Sequence, residues 1–294
     1  MYLIDDYIEA DSVDEAVNLL ADNPERLIIA GGTDLLIKMR DGILENVQMV
    51  GIRKIEPLRK IEKDEQNVIS IGAMATFNDL VRSELVQNNI PIMAEAAMTV
   101  GGPQIREMAT VGGNLCNGMP SADSAPALLV LNARLKLLSK SGVRLAPLQE
   151  FYLGSGKVDL RPGELLTEIL ISKEDYLNFG GCYIKFAPRK AMDLAILGVA
   201  VTCRIRVTGI FDLVRIALGV AGPTPLRCEI AENFPPGKPV NDSIIAEIGR
   251  LAVKSSRARD SQRASKEFRE HLVVELTQRA LKSACNRAGG ISYD

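Results

Sequence analysis

The sequence predicts an α+β protein in two domains, and three features of its patterning carry that expectation. Residues 1–58 alternate short apolar runs with a helical stripe, the signature of a small α/β unit. Residues 59–176 continue as a larger α+β part containing a hairpin signal. From residue 177 to 294, β-branched-rich runs separated by glycine turns give way to helical sequence, which reads as an antiparallel sheet plus helices.

Taken in order, Ser12 opens the first helix and Glu15 completes a capping-box pattern three residues later. Val13, Ala16, Val17 and Leu20 form its apolar stripe, and Asn23-Pro24 ends it. Leu27 to Ala30 read as a short buried strand. Gly31-Gly32-Thr33-Asp34 is a turn, Leu35 to Met39 a short helix, and Val47 to Ile52 another strand. A charged connector, Lys60 to Glu65, leads to a strand at Val68–Ile71. Thr76 and Asp79 cap a helix carrying Phe77, Leu80 and Val81, and Pro91 opens one that stops at Gly101-Gly102-Pro103. Leu135–Ser139 and Val143–Leu148 form a hairpin around Ser141-Gly142, and Leu165–Ile171 adds a strand. Cys182–Phe186, Ala195–Val207 and Leu213–Val220 make the meander. In the last helix Phe268, Leu272, Leu276 and Ala280 recur every four residues on one face.

Composition narrows the function classes. A formal net charge of −2 and no tryptophan argue against a nucleic-acid partner. The five cysteines, Cys116, Cys182, Cys203, Cys228 and Cys285, are odd in number and have no Cys-x-x-Cys spacing. That argues against a disulfide framework and against an iron–sulfur or zinc site, and fits a reducing, cytoplasmic location. The acidic N-terminus carries no readable signal peptide, and no apolar run reaches the length of a membrane span. His271, the single histidine, is expected at the surface among Arg269 and Glu270. With one histidine, neither a His-based triad nor a multi-histidine metal centre fits this chain.

Chemistry is concentrated in two glycine pairs. At a strand exit, Gly31-Gly32 allows positive φ and brings bare backbone N–H groups close to a ligand, which suits phosphate. Taken alone, the same stretch reads equally well as a structural βα connection. A second pair, Gly112-Gly113, is followed by Asn114 and the small residues Ser121, Ala122, Asp123 and Ser124. Two such loops are what two phosphates joined in one molecule require. Neither has the Gly-x-Gly-x-x-Gly spacing of a Rossmann site. Gly154-Ser155-Gly156-Lys157 lacks the leading glycine and the Ser/Thr of a P-loop.

The segments IIAGGTDLLIKM (28–39) and QIREMATVGGNLCNGMPSADSAPALL (104–129) resemble the FAD-binding medium subunits of the molybdenum hydroxylases, the xanthine dehydrogenase and carbon monoxide dehydrogenase family. YIKFAPRKAMDLAILGVAV (183–201), GVAGPTPLRC (219–228) and SSRARDSQRASKEFREHL (255–272) extend the resemblance into the C-terminal domain, where it is strongest to bacterial xanthine dehydrogenase-type flavin subunits. The resemblance implies a vanillyl-alcohol-oxidase (PCMH-type) FAD-binding fold. It implies that the amides of Leu27, Ile28, Ile29, Ala30, Gly31, Gly32, Thr33 and Asp34 line one side of the FAD pyrophosphate. Those of Ala109, Thr110, Val111, Gly112 and Gly113 approach from the other, with the Thr110 hydroxyl available and Asn114 near the flavin. It places Asp123 at the adenosine ribose or as an anchor of its loop, Leu165 or Leu166 against the ring system, and Lys185 near the isoalloxazine. The bland alternatives are a solvated strand residue for Lys185 and ordinary core for the two leucines.

By the same resemblance, a large molybdopterin-containing subunit hydroxylates substrate. A small subunit with two [2Fe–2S] clusters delivers electrons, and NAD+ or another acceptor removes them. Purine hydroxylation is the expected type, with aromatic, heterocyclic and carbon monoxide hydroxylases as alternatives. An assembly module with a vestigial nucleotide pocket, or a stand-alone flavin reductase, are readings from other classes. Cys116 is expected to pack beside the cofactor. The basic run Arg250, Lys254, Arg257, Arg259, Arg263, Lys266 and Arg269 reads as a solvated helix face, or more sharply as a partner-docking surface.

Overall fold

A small parallel sheet opens the chain. The computed structural model describes residues 3–289; the outer ends of the two predicted domains, 1–2 and 290–294, lie outside the described residues. β1 (Ile4–Glu9), α1 (Val13–Asp22), β2 (Leu27–Ile29), α2 (Leu35–Arg40) and β3 (Val47–Gly51) form a unit with strand order β1-β3-β2, both pairings parallel. β1 escapes sequence reading because it is a largely exposed edge strand whose IDDYIE sequence has no apolar alternation. At α1, Ser12 Oγ accepts from the Glu15 N–H, but Glu15 Oε2 reaches back to the Asp11 N–H, not to Ser12. The capping box is therefore one residue out of register.

The second part opens with β4 (Ile61–Lys63) and β5 (Ile69–Gly72). A run of short helices follows: α3 (Phe77–Arg82), α4 (Glu84–Asn89), α5 (Pro91–Met98), α6 (Pro103–Met108), α7 (Val111–Cys116) and α8 (Ser124–Val130). β6 (Arg134–Ser139), β7 (Gly142–Pro147), α9 (Leu148–Phe151), β8 (Tyr152–Gly154), β9 (Lys157–Val158) and β10 (Leu165–Ile171) complete it. Its antiparallel sheet has the order β4-β5-β10-β6-β7. β4 lies in the stretch expected to be a connector, because charged side chains on a short edge strand mask its pairing. The expected capping box at Thr76 and Asp79 is present. In the β6–β7 hairpin Ser139 pairs with Gly142, so Lys140-Ser141 are the turn residues. The segment that superficially suggests a P-loop is the tight β8–β9 hairpin.

The third part is the meander β11 (Gly180–Phe186), β12 (Leu197–Arg206), β13 (Ile210–Gly219) and β14 (Leu226–Arg227), followed by α10 (Glu229–Glu232), α11 (Asp242–Ala252) and α12 (Lys266–Arg287). Strand alternation gives this sheet two buried faces. Val199, Val201, Cys203, Val214 and Ile216 face α11 and α12 in one core. Ala200, Ala217 and Tyr183 join the other core, with α5 and α8. This second face carries Gly198, Ala200, Ala217 and Gly219 on its two central strands, which lets α8 lie close upon it.

Two expectations for the C-terminal region change. The α12 stripe keeps Leu272, Leu276 and Ala280, yet Phe268 is 41 % exposed and stacks edge-on against Phe186. The basic run is not one helix face: it spans α11, a loop and α12, and Arg269 is buried. Its guanidinium donates to the Arg259 carbonyl at 2.8 Å and Ser261 Oγ at 2.7 Å, so it organises the loop instead of facing solvent. His271 is exposed, as expected.

Candidate functional site

The two glycine segments meet at one end of the parallel sheet, and their closeness explains the glycines. A Cβ on Gly31 would lie 1.9 Å from the Met108 carbonyl oxygen. The exit of β2 therefore touches the backbone at the end of α6, which only a residue without a side chain permits. Gly32 has φ +71°, turning the chain into α2. A Cβ on Gly112 would lie 2.6 Å from Ala73, so the second segment presses on the exit of β5 in the same way. Gly113 differs. Its Cβ would meet only Thr110 Oγ1 and, at 3.9 Å, Ala30.

Between these walls lies a cavity of about 940 Å³. That is near the upper end of the roughly 300–1,000 Å³ seen for ligand pockets. Of the residues predicted for the site, Leu27, Ile28, Ala30, Gly31, Gly32, Thr33, Asp34, Ala109, Thr110, Gly112, Gly113, Asn114, Asp123, Leu165, Leu166 and Lys185 line it. Ile29 and Val111 do not, and Val111 is fully buried behind the wall.

The walls contribute differently. Among the described residues, the backbone N–H groups of Gly31, Gly32, Thr33, Asp34 and Leu35 have no acceptor within the chain. Asp34 is exposed, but on the half-buried Gly31, Gly32, Thr33 and Leu35, backbone donors left in this condition require a ligand or solvent. Across the cavity the donors are already engaged. The N–H groups of Ala109, Val111 and Gly112 bond to the carbonyls of Ile105, Ala75 and Ala73, and that of Gly113 bonds to Thr110 Oγ1 at 3.1 Å. The second pair is not a loop at all but the first turn of α7, with Thr110 as its N-cap. This wall supplies shape, the Thr110 hydroxyl and Asn114, whose Oδ1 accepts from Ser124 Oγ at 2.7 Å.

At the inner end, Asp123 and Lys185 form a buried ion pair of 2.8 Å. Lys185 Nζ also donates to the Thr99 carbonyl at 3.0 Å, and Tyr183 Oη donates to the other Asp123 oxygen at 2.8 Å. Lys185 is thus no solvated strand residue; its side chain is 10 % exposed. An ammonium has three protons, and two have acceptors in the chain. Burial pushes the Asp123 carboxyl up, while the charge and hydrogen bond of Lys185 and the hydrogen bond of Tyr183 pull it back. Cys116 also lines the cavity, and burial pushes its thiol up to about 12, leaving it protonated and unreactive near neutral pH.

Sequence reasoning missed several lining residues. Arg26 precedes β2 and pairs with Asp6 at 2.8 Å; Lys38 lies on α2 and donates to Asn117 Oδ1 at 2.9 Å. Arg161 and Glu164 sit at the entry to β10 beside Leu165. Arg189, Met192 and Leu194 come from the loop after β11, and Arg263 from the loop that Arg269 holds. Lys38, Arg189, Met192, Leu194 and Arg263 lie within the segments that carry the family resemblance, and Arg26, Arg161 and Glu164 just before predicted site residues, but only tertiary placement brings them together at the cavity.

The residues fit a dinucleotide with a paired phosphate: a row of free amide donors, an opening above Gly113 that a side chain would fill, apolar walls at Leu165 and Leu166, and the buried Lys185 ammonium with a spare donor. Comparison with known proteins agrees. Residues 3–173 match the family described as the FAD binding domain in molybdopterin dehydrogenase, and residues 182–284 match the CO dehydrogenase flavoprotein C-terminal domain. The chain is 39 % identical over 284 residues to the xanthine dehydrogenase FAD-binding subunit of Escherichia coli O157:H7, covering 97 % of each. It is 30 % identical to the glyceraldehyde dehydrogenase medium chain of Sulfolobus acidocaldarius, covering 94 % of this chain and 96 % of that one. In structure it resembles a chain of carbon monoxide dehydrogenase from Hydrogenophaga pseudoflava, with a TM-score of 0.92 and 29 % identity over 98 % of this chain and 99 % of that one. Matched along its length in sequence and in fold, this chain belongs to the FAD-binding subunits of the molybdenum hydroxylase family.

Proposed function

We propose that this chain is the electron-transfer flavin subunit of a xanthine dehydrogenase-type molybdenum hydroxylase, working in the cytoplasm. Its partners in this reading are a large molybdopterin subunit that hydroxylates a purine and a small subunit with [2Fe–2S] clusters. NAD+ is the terminal acceptor. The observation that carries the reading is full-length identity of 39 % to a xanthine dehydrogenase FAD-binding subunit, together with a cavity whose donors match FAD. Relatives named for nicotinate and carbon monoxide share 30 % and 29 % identity, below the 39 % of the xanthine dehydrogenase subunit, which favours the xanthine dehydrogenase type. The proposed division into 1–176 and 177–294 is supported by the position of residue 177 between β10 and β11, which belong to different sheets.

Each residue group has a task in this reading. The amides of Gly31 to Leu35 bind the pyrophosphate, with the α2 dipole behind them adding attraction for its charge. Leu165 and Leu166 pack on the ring system and exclude water. Lys185, oriented by Asp123 and Thr99, presents a cation where reduction places negative charge. Bound FAD supplies the ability to accept single electrons and release a pair as hydride.

Two measurements test this. Gly32→Val combined with Gly113→Val should abolish flavin absorbance in purified full-length protein. Flavin retained at wild-type stoichiometry would refute the site. Isolation from the native host should bring down molybdenum, iron and FAD together and show NAD+-dependent purine oxidation; a flavin-free assembly would support the vestigial-pocket reading instead.

A further inference from the structure

β11 places Tyr183 and Lys185 two residues apart, hence on the same face of the sheet. Along that face Lys185 stands opposite Gly198 on β12, and Gly198 opposite Gly219 on β13. Two adjacent glycines cut a trough across the sheet. The start of α8 and the segment before it sit in this trough. A Cβ on Gly219 would come within 3.1 Å of Pro126 Cγ, and the Val220 N–H donates to the Pro120 carbonyl at 3.0 Å. A Cβ on Gly198 would lie 2.7 Å from the Tyr183 hydroxyl oxygen, with two ring carbons at 3.5 Å. The hydroxyl therefore occupies space that only a glycine leaves open.

From that position Tyr183 Oη is the donor to Asp123 Oδ1, at 2.8 Å, while Lys185 Nζ engages Oδ2. Asp123 stands at the start of α8 but makes no capping bond there; both its oxygens are turned to the sheet. Tyr183 is 7 % exposed and does not line the cavity.

We infer that Tyr183 is a positioning residue for the cofactor's charge partner: seated over Gly198, its hydroxyl holds the Asp123 carboxylate in the orientation that keeps the Lys185 ammonium at the cavity. The inference rests on the reading of Lys185 as the flavin's charge partner. Its physical basis is the cost of a buried carboxylate oxygen left without a donor. Remove the hydroxyl, and Asp123 either turns toward another donor, drawing the paired Lys185 ammonium out of its place at the cavity, or takes one proton from Lys185 Nζ, leaving a neutral acid and a neutral amine. Either way the cavity loses its ammonium, so reduction of the flavin becomes harder.

The test is the two-electron midpoint potential of FAD bound to the full chain, measured against redox dyes. Tyr183→Phe should lower it in the same direction as Lys185→Met and by less, an approximately tenfold shift in the reduction equilibrium, or about 30 mV for a two-electron couple. Gly198→Ala should lower it too, by displacing the hydroxyl. Added to Tyr183→Phe, it should lower it no further, because the clashing oxygen is gone. A purely structural role would instead change thermal stability while leaving the potential alone. The inference is overturned if Tyr183→Phe keeps the wild-type potential while Lys185→Met shifts it. It is equally overturned if Gly198→Ala shifts the potential alike in both backgrounds. If Lys185→Met leaves the potential unchanged with FAD bound, the charge-partner reading itself is wrong, a result separable from the first two.

Discussion

At the scale of single residues, the two glycine segments divide their work, and substitution separates the roles. Gly31 is needed by the protein: a methyl there would overlap the Met108 backbone, which cannot yield as a flexible side chain would. Gly113 is needed by the ligand. A methyl there meets the Thr110 hydroxyl at 2.9 Å and otherwise points into open space beside Ala30. Within a helix, Gly→Ala gains about 0.5–1 kcal/mol, while disturbing the Thr110 cap loses about as much. Gly113→Ala should thus leave flavin-free stability nearly unchanged and weaken FAD binding by about tenfold, or about 1.4 kcal/mol. Gly31→Ala should lower both. Thermal unfolding of the flavin-free chain, paired with a flavin titration, reads the contrast; equal stability losses in the two variants would contradict it.

At the scale of elements, β10 shows how one ion-pair cluster fixes a cavity wall. Arg144 on β7 donates to Glu164 Oε1 at 2.8 Å and Oε2 at 2.7 Å, and to Asp159 at 2.8 Å. Glu164 also accepts from the Arg161 N–H at 2.9 Å, which closes the turn leading into Leu165 and Leu166. Burial alone would push the Glu164 carboxyl up, but the Arg144 hydrogen bonds, the Arg161 amide and the two arginine charges outweigh it, so it sits below the ordinary range. A depressed carboxyl stabilises the fold above its unfolded value of about 4.3 and loses that contribution as pH falls through the folded value. Glu164→Gln should therefore cost about 2 kcal/mol near pH 7, and the gap to wild type should close as pH drops below about 4. Chemical unfolding at a series of pH values measures this, and a gap independent of pH would exclude the ionised carboxylate as its source. The same elements show what sequence can and cannot disclose. β10, the β6–β7 hairpin, the Thr76 cap and the meander are written in local periodicity and turn chemistry, which short-range physics enforces. β1 and β4 are not, because edge strands with exposed faces need no apolar alternation. The glycine pairs marked the site, yet their division into a donor wall and a close-packed wall depends on which carbonyls each amide meets in space. Tyr183 opens one of the segments that carry the family resemblance, but its role exists only through the register that brings Gly198 beneath its hydroxyl.

At the scale of the whole molecule, the meander sheet is a shared wall, not the surface of a separate body. Apolar side chains of β12 and β13 enter the core with α11 and α12 on one face, and Ala200 and Ala217 enter the core with α8 on the other. The far end of α8 is pinned to that sheet by polar contacts. The Val130 carbonyl accepts from Thr202 Oγ1 and from Arg215, and Arg215 also pairs with Asp175 at 2.7 Å while lying over the Phe179 ring at 5.0 Å. Arg227 bonds the Leu129 carbonyl at 3.0 Å and closes a pair with Glu232. One end of α8 thus carries Asp123 into the cofactor site, and the other is locked by arginines of the meander. Loosening the lock should be felt by the whole chain. Arg215→Met keeps much of the apolar packing but leaves the buried Asp175 carboxylate with its charge unpaired and the Asn132 amide as its remaining side-chain donor, a loss of roughly 3 kcal/mol. For a chain of this size that corresponds to a melting temperature lower by roughly 5–10 °C. Because cavity walls come from both sides of the lock, bound FAD should restore part of the loss, by about 2.7 kcal/mol when free FAD is a hundredfold above its Kd. Calorimetry with and without FAD should then show one shifted transition that moves back up with ligand. Two separated transitions in Arg215→Met, only one of them responding to FAD, would mean that the meander and the glycine walls unfold independently and that the shared sheet does not couple them.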